Sequence, residues 1–216
     1  MALRRSAIVR ESAGVCVMTG LNYAPTRTLA SRRAAALPRL FALTDPARTP
    51  DPLALAASLP AGTGMILRHF GRDDLKCLAV PLARLARRQG LLLLIAADPV
   101  LALTAEAHGV HWPERQVQQI RRWRQKAPHL LVTASAHSPA ALRRAASLAD
   151  GVFLSPVFAS NSASAGAPLG LIRASSMARQ VKTPVLALGG VELADLMALR
   201  ARGFYGAGAV DAFSAS

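Results

Sequence analysis

From Leu40 onward the chain alternates eight short apolar runs with seven amphipathic stretches. The apolar runs are Leu40–Thr44, Met65–Arg68, Leu91–Ile95, Gly109–His111, Leu130–Ala134, Gly151–Ser155, Pro184–Leu188 and Tyr205–Val210. The helix-like stretches between them are Leu53–Leu59, Leu75–Gln89, Val100–Ala107, Val117–Lys126, Ala140–Leu148, Ala174–Gln180 and Leu193–Arg202. Apolar runs alternating with helices imply parallel strands covered on their outer side. Ser138-Pro139 reads as a helix cap followed by proline in the first turn, and Gly90 and Gly203 sit where helices must stop. Eight such strands predict an α/β fold, a small (β/α)8 TIM barrel with brief helices and loops. The competing architecture is an open doubly wound sheet, but no GxGxxG follows the first strand. The expected organisation is a basic N-terminal extension over residues 1–39 and the barrel over residues 40–216.

Composition narrows the partners. The 216 residues suffice for one domain with a core. No apolar run approaches the roughly 20 residues that cross a bilayer, so no membrane partner is expected. The net charge of +14 comes almost wholly from arginine, which favours anionic ligands. That charge is distributed over several helices, as in Arg84, Arg87 and Arg88 or Arg121, Arg122 and Arg124. It reads as solvated outer faces, and with aromatics at 5% there is no stacking platform for nucleic acid. Cys16 and Cys77 are far apart and form no CxxC pair, which fits a reducing, cytoplasmic setting. The first 39 residues carry many arginines against the single acid Glu11. They read equally as a transit-like segment, a disordered tail, or the result of an early start with Met18 as the true one.

In a barrel of this kind chemistry sits at the carboxyl ends of the strands. Asp45 follows the first strand and suits a cap. Arg68 ends the second and serves either an anion site or an ion pair. Asp98, before Pro99, is a helix cap or a single carboxylate for Mg2+. His111 ends the fourth strand and reads as packed in the barrel. Ser135 and His137 lie two apart at the end of the fifth, which places them on one face if the chain stays extended. An imidazole there can exchange protons near neutral pH. The polar small-residue loop from Ala159 to Gly166 follows the sixth strand and suits a ligand loop. Gly189-Gly190 after the seventh and Val210 after the eighth offer backbone N–H groups to a phosphate.

Ordered together, these landmarks resemble a family. Leu40-Phe41-Ala42-Leu43-Thr44-Asp45, Gly109-Val110-His111, Ser135-Ala136-His137, Ser155-Pro156-Val157-Phe158, Gly170-Leu171 and Ala187-Leu188-Gly189-Gly190-Val191 resemble thiamine phosphate synthase and the related thiazole tautomerase, from Leu40 to Phe213. The synthase joins a pyrimidine methyl pyrophosphate to a thiazole phosphate, with Mg2+ helping pyrophosphate to leave. Against the family's Gln-x-Arg-x-Lys, this chain has Ile66-Leu67-Arg68-His69-Phe70, so the arginine alone is kept. Ala97-Asp98 stands for Asn-Asp, Gln116 for a second metal aspartate, Ala163 for a loop lysine and Asp211 for a phosphate-contacting serine. By the same resemblance, Ser160 and Ser162 stand for two threonines, and Gly170, Gly190 and Val210 keep their backbone contacts to the thiazole phosphate. The tautomerase needs no pyrophosphate site, and the resemblance puts its acid–base histidine at His137.

The expected function is therefore a thiamine-biosynthesis barrel binding a thiazole phosphate or a similar small phosphorylated heterocycle. Tautomerase-like proton transfer is favoured, with His137 as acid–base and Ser135 orienting it. A divergent synthase is the first alternative, and only that one calls for a cofactor, Mg2+, with Asp98 as a ligand. A non-catalytic binding or regulatory barrel is the second, suggested by a carboxylate at Asp211. Homo-oligomerisation is left open.

Overall fold

The computed structural model describes residues 37–68, 75–160 and 166–210. The N-terminal extension up to residue 36, together with Ser162, Ala163 and Asp211, lies outside the described residues. Eight strands, β1 (Leu40–Leu43), β2 (Gly64–Leu67), β3 (Leu92–Ala96), β4 (Gly109–Trp112), β5 (Leu131–Ala136), β6 (Gly151–Leu154), β7 (Val185–Ala187) and β8 (Gly206–Ala209), form a closed parallel barrel. The ring shuts where Leu40 pairs with Ala207 and Ala42 with Ala209, which excludes the open sheet. Around it lie α1 (Pro52–Ser58), α2 (Leu75–Gln89), α3 (Pro99–Thr104), α4 (Gln119–Lys126), α5 (Pro139–Ala146), α6 (Leu171–Ala178) and α7 (Leu196–Ala201).

Local chemistry explains where the helices begin. Asp51, Asp98 and Ser138 each accept a backbone N–H of the first turn, and each is followed by proline. A side-chain acceptor satisfies a donor that has no helical partner, and proline lacks the N–H that would otherwise be orphaned. Most boundaries shift by a residue or more from those expected, and two of the shifts matter most here. Strand β5 runs two residues past Ala134, because Ser135 and Ala136 pair with Phe153 and Leu154 of β6. The helix expected from Val117 begins at Gln119 instead, and a 3-10 turn at Glu114–Gln116, entered through Pro113 with φ −64°, precedes it. Both shifts bear on the site, since His137 directly follows β5 and the turn carries Glu114.

Successive strand residues face opposite sides. One side packs against the helices: Met65, Leu93, Ile95, Trp112, Val132 and Val152 are buried there. The other fills the barrel: Phe41, Leu43, Ile66, Leu94, Phe153 and Leu186 form a separate cluster. Phe41 and Phe153 meet edge to face with centroids 5.2 Å apart. These rings fit because glycine faces them. A Cβ built on Gly208 would lie 2.7 Å from Leu43 Cδ1 and 2.9 Å from Phe153 Cε1. Gly208→Val is thus expected to overpack the barrel and lower stability by about 1–3 kcal/mol. A guanidinium unfolding curve unchanged in midpoint would contradict this packing account.

The residues just before β1 are tied to the far end of the chain. Leu37 is buried, and its carbonyl accepts the Tyr205 hydroxyl at 2.7 Å. The Arg39 guanidinium lies 4.9 Å from the Tyr205 ring centroid and donates to the Tyr205 carbonyl at 3.1 Å. These bonds brace the β8–β1 seam at its amino end.

Candidate functional site

Interior positions at the carboxyl ends of β2, β4 and β5 bring together Arg68, His111, Thr133 and Ser135. Register makes the cluster. His111 stands beside Ala96 on one side and Thr133 on the other. The small alanine leaves room for the imidazole. Its Nδ1 is 2.9 Å from Thr133 Oγ1 and its Nε2 is 2.9 Å from Ser135 Oγ. The Phe153 ring meets it edge on at 5.4 Å. Burial, with help from the Arg68 charge, depresses the His111 pKa to about 3. The ring is therefore neutral at pH 7, with one nitrogen donating and the other accepting. In that state His111 braces Ser135 and is a poor proton carrier.

Arg68 reaches the mouth from the residue after β2. Its backbone N–H donates to Thr44 Oγ1 at 2.9 Å and its Nε to the Thr44 carbonyl at 3.0 Å. Burial lowers its pKa, Asp45 raises it and Arg48 lowers it again. A guanidinium stays charged through shifts of this kind. Asp45 caps the turn after β1, accepting from Ala47 N at 3.1 Å and Arg48 N at 3.3 Å. Burial pushes its pKa up, but those N–H groups and the charges of Arg48 and Arg68 outweigh it, and the net shift is downward. A part-buried positive group whose charge acts on His111, the partner of Ser135, suits an anionic ligand.

His137 takes a different partner from the one the sequence suggested. Both its backbone N–H and its Nδ1 lie 2.8 Å from Glu114 Oε2. Arg144 Nη2 stands 3.9 Å from the other Glu114 oxygen. The His137 side chain is 54% exposed, so it is open to a ligand at the mouth. Ser135 near the end of β5 and His137 just past it thus belong to two hydrogen-bonded sets, Ser135 with His111 and His137 with Glu114. Sequence reading passed over Glu114. Its signal was a carboxylate directly after a proline at a strand end. The role of His111 was readable in its shared parity with the barrel interior.

The glycine-rich end is shaped by close packing. Gly189 and Gly190 have φ of 87° and 63°. The loop after β6 crosses them: Val157 N–H donates to the Leu188 carbonyl at 2.9 Å and Phe158 N–H to the Gly189 carbonyl at 3.0 Å. A side chain at Gly190 would run into the Ala159 carbonyl. Gly170 opens α6 with φ 76°, and its own N–H already donates to the Val157 carbonyl at 3.1 Å. Val210 packs against the interior cluster at the end of β8, and Ser160 is half-buried. Asp98 uses one oxygen to cap α3, accepting Leu101 N at 2.8 Å. Among the described residues no three His, Cys, Asp or Glu side chains gather as a metal donor set. Asp98 is the one carboxylate this chain keeps of the family's metal pair, since Gln116 stands where the second aspartate would be; Mg2+ would have to be held by that carboxylate, water and substrate phosphate.

A profile of the family described as thiamine monophosphate synthase matches residues 41–213, nearly the whole barrel. The chain belongs to that family. It is 33% identical over 185 residues to "Putative thiamine-phosphate synthase 2" of Aquifex aeolicus (strain VF5), covering 82% of this chain and 98% of that one. It is 33% identical over 144 residues to thiamine-phosphate synthase of Methanoculleus marisnigri, covering 66% of this chain and 68% of that one. Among solved structures, thiamine phosphate pyrophosphorylase from Pyrococcus furiosus superposes with a TM-score of 0.69 at 23% identity, over 85% of this chain and 90% of that one. That last likeness concerns the fold. The family places this protein among thiamine-biosynthesis barrels, and fold alone does not choose among their reactions. Among the described residues no helix is long and apolar enough to cross a membrane.

Proposed function

We propose that this family member carries out acid–base isomerisation of a thiazole phosphate or a closely similar phosphorylated heterocycle. The observation that carries the reading is His137, held at the barrel's carboxyl end by the Glu114 carboxylate at 2.8 Å. Such a pair can remove and return a proton without help from a metal. Arg68 supplies positive charge at the end of β2, and the Gly189-Gly190 backbone shapes the end where a phosphate would sit. Cys77 is exposed and free, which supports a reducing, cytoplasmic setting.

Solvent deuterium incorporation into thiazole carboxylate phosphate, followed by NMR, tests this. His137→Ala is expected to slow incorporation by at least about 10²-fold, the lower end for a general acid–base. An unchanged rate in that variant would sink the proposal. A second reading, thiamine phosphate synthesis, draws support from the names of the matched relatives and from the retained Arg68. Turnover of both synthase substrates with Mg2+, at a rate like that of an active family member, would favour it instead.

A further inference from the structure

We propose that Glu114 is the positioning residue for His137, holding its imidazole with hydrogen on Nδ1 and so leaving Nε2 as the nitrogen that exchanges protons. The inference rests on the reading of His137 as acid–base. One carboxylate oxygen, Oε2, receives two N–H groups of the same residue, the backbone N and Nδ1, each at 2.8 Å. A carboxylate can only accept, so the ring nitrogen facing it must carry the proton. The double contact fixes the main chain of His137 and the rotation of its ring together. Arg144, 3.9 Å from Oε1, steadies the carboxylate from α5.

Local sequence puts Glu114 there. Pro113 sends the chain into a 3-10 turn directly after β4, and Glu114 is the first residue of that turn. The Ser135 hydroxyl is instead 2.9 Å from His111 Nε2, and the place beside His137 Nδ1 is taken by Glu114. The consequence for chemistry is directional. Nε2 takes a proton from a ring carbon of the heterocycle: the C–H bond breaks, an N–H bond forms, and the electron pair stays on the heterocycle. Returning that proton to another ring position restores the Nε2 lone pair. Between the two steps the imidazolium faces the Glu114 carboxylate, as an orienting acid does in other histidine pairs.

The test is 15N NMR of the histidine-labelled full chain at a pH near 8, where ordinary imidazole is neutral. In the wild type, His137 is expected to show a protonated-type signal for Nδ1 and an unprotonated-type signal for Nε2. Glu114→Ala should move His137 toward the tautomer with hydrogen on Nε2, whereas Glu114→Gln, whose amide oxygen still accepts, should preserve the wild-type pattern. In the deuterium assay Glu114→Ala should lower kcat about 10–100-fold, the range for loss of an outer-shell orienting partner, with KM little changed. A wild-type Nε2–H tautomer, or a Glu114→Ala spectrum identical to wild type, overturns the proposal. The two readings fail separately. If His137→Ala keeps full exchange while the tautomer still depends on Glu114, the reaction is wrong and the positioning contact stands. If His137→Ala abolishes exchange while the tautomer ignores Glu114, the reaction stands and the positioning role falls.

Discussion

Replacing Asp150 with alanine is expected to destabilise the barrel by about 3–5 kcal/mol, the range for stranding one partner of a buried ion pair. Asp150 precedes β6 and is 5% exposed. Its Oδ1 is 2.7 Å from Arg124 Nη2, and its Oδ2 accepts the Val132 N–H at 2.8 Å. Arg124 also donates to the Leu130 and Leu148 carbonyls, at 3.3 and 3.4 Å. The alanine variant would leave a largely buried guanidinium without its counter-charge and a strand N–H without an acceptor. Asp150→Asn keeps an acceptor for Val132 and should lose less. Removing both charges, as Asp150→Ala with Arg124→Met, should recover part of the loss, because the desolvated charge itself is gone. Guanidinium unfolding of the three variants measures this. A loss below about 1 kcal/mol in Asp150→Ala would place the pair with surface ion pairs instead. The pair lies at the amino end of the barrel, so these variants should affect stability well before they affect chemistry at the mouth.

The second large effect is a pH dependence set by His111. Its folded pKa is about 3, whereas an unfolded histidine titrates near 6.5. The unfolded chain therefore binds more protons between those values, and stability rises with pH across that window. The contribution is complete above about pH 6.5 and is lost progressively as pH falls toward 3. Dropping from pH 6.5 to 5 should remove roughly 2 kcal/mol, at about 1.4 kcal/mol per unit. His111→Gln keeps polar reach without titrating in this range. Its stability at neutral pH should be lower, through lost packing against Phe153, but its slope between pH 5 and 6.5 should be smaller by about one proton. Equal slopes for variant and wild type would show that His111 does not carry the dependence. The neighbours that face the ring are Arg68, Thr133, Ser135 and Phe153, of which only Arg68 is charged. Arg68 keeps its charge throughout the window, so it sets the depression without adding a titration of its own.

The barrel was legible because its rule is local and repeated. Apolar runs without alternation require burial on both faces, and capped amphipathic stretches between them supply the outer cover. Asp98 and Ser138 before proline were readable for the same reason, since a cap acts within one turn. The gathering of candidate residues at the ends of β2 and β5 could also be read, because strand order fixes which loops face the mouth. Arg68, Ser135 and His137 do lie there.

What could not be read was the pairing among those residues. Ser135 and His137, two apart, suggest partners in a sequence. Register across β4 and β5 instead sets the Ser135 hydroxyl against His111, and a turn entered at Pro113 sets Glu114 against His137. Each partner is more than twenty residues away in the chain, and a shift of one residue in strand register would turn every one of these side chains to the other face. Sequence by itself thus determined the closed sheet, its family and the end at which the candidate residues gather. Tertiary structure alone decided which histidine is buried and neutral and which is exposed beside a carboxylate, because burial and charge contacts come from neighbours that only folding assembles.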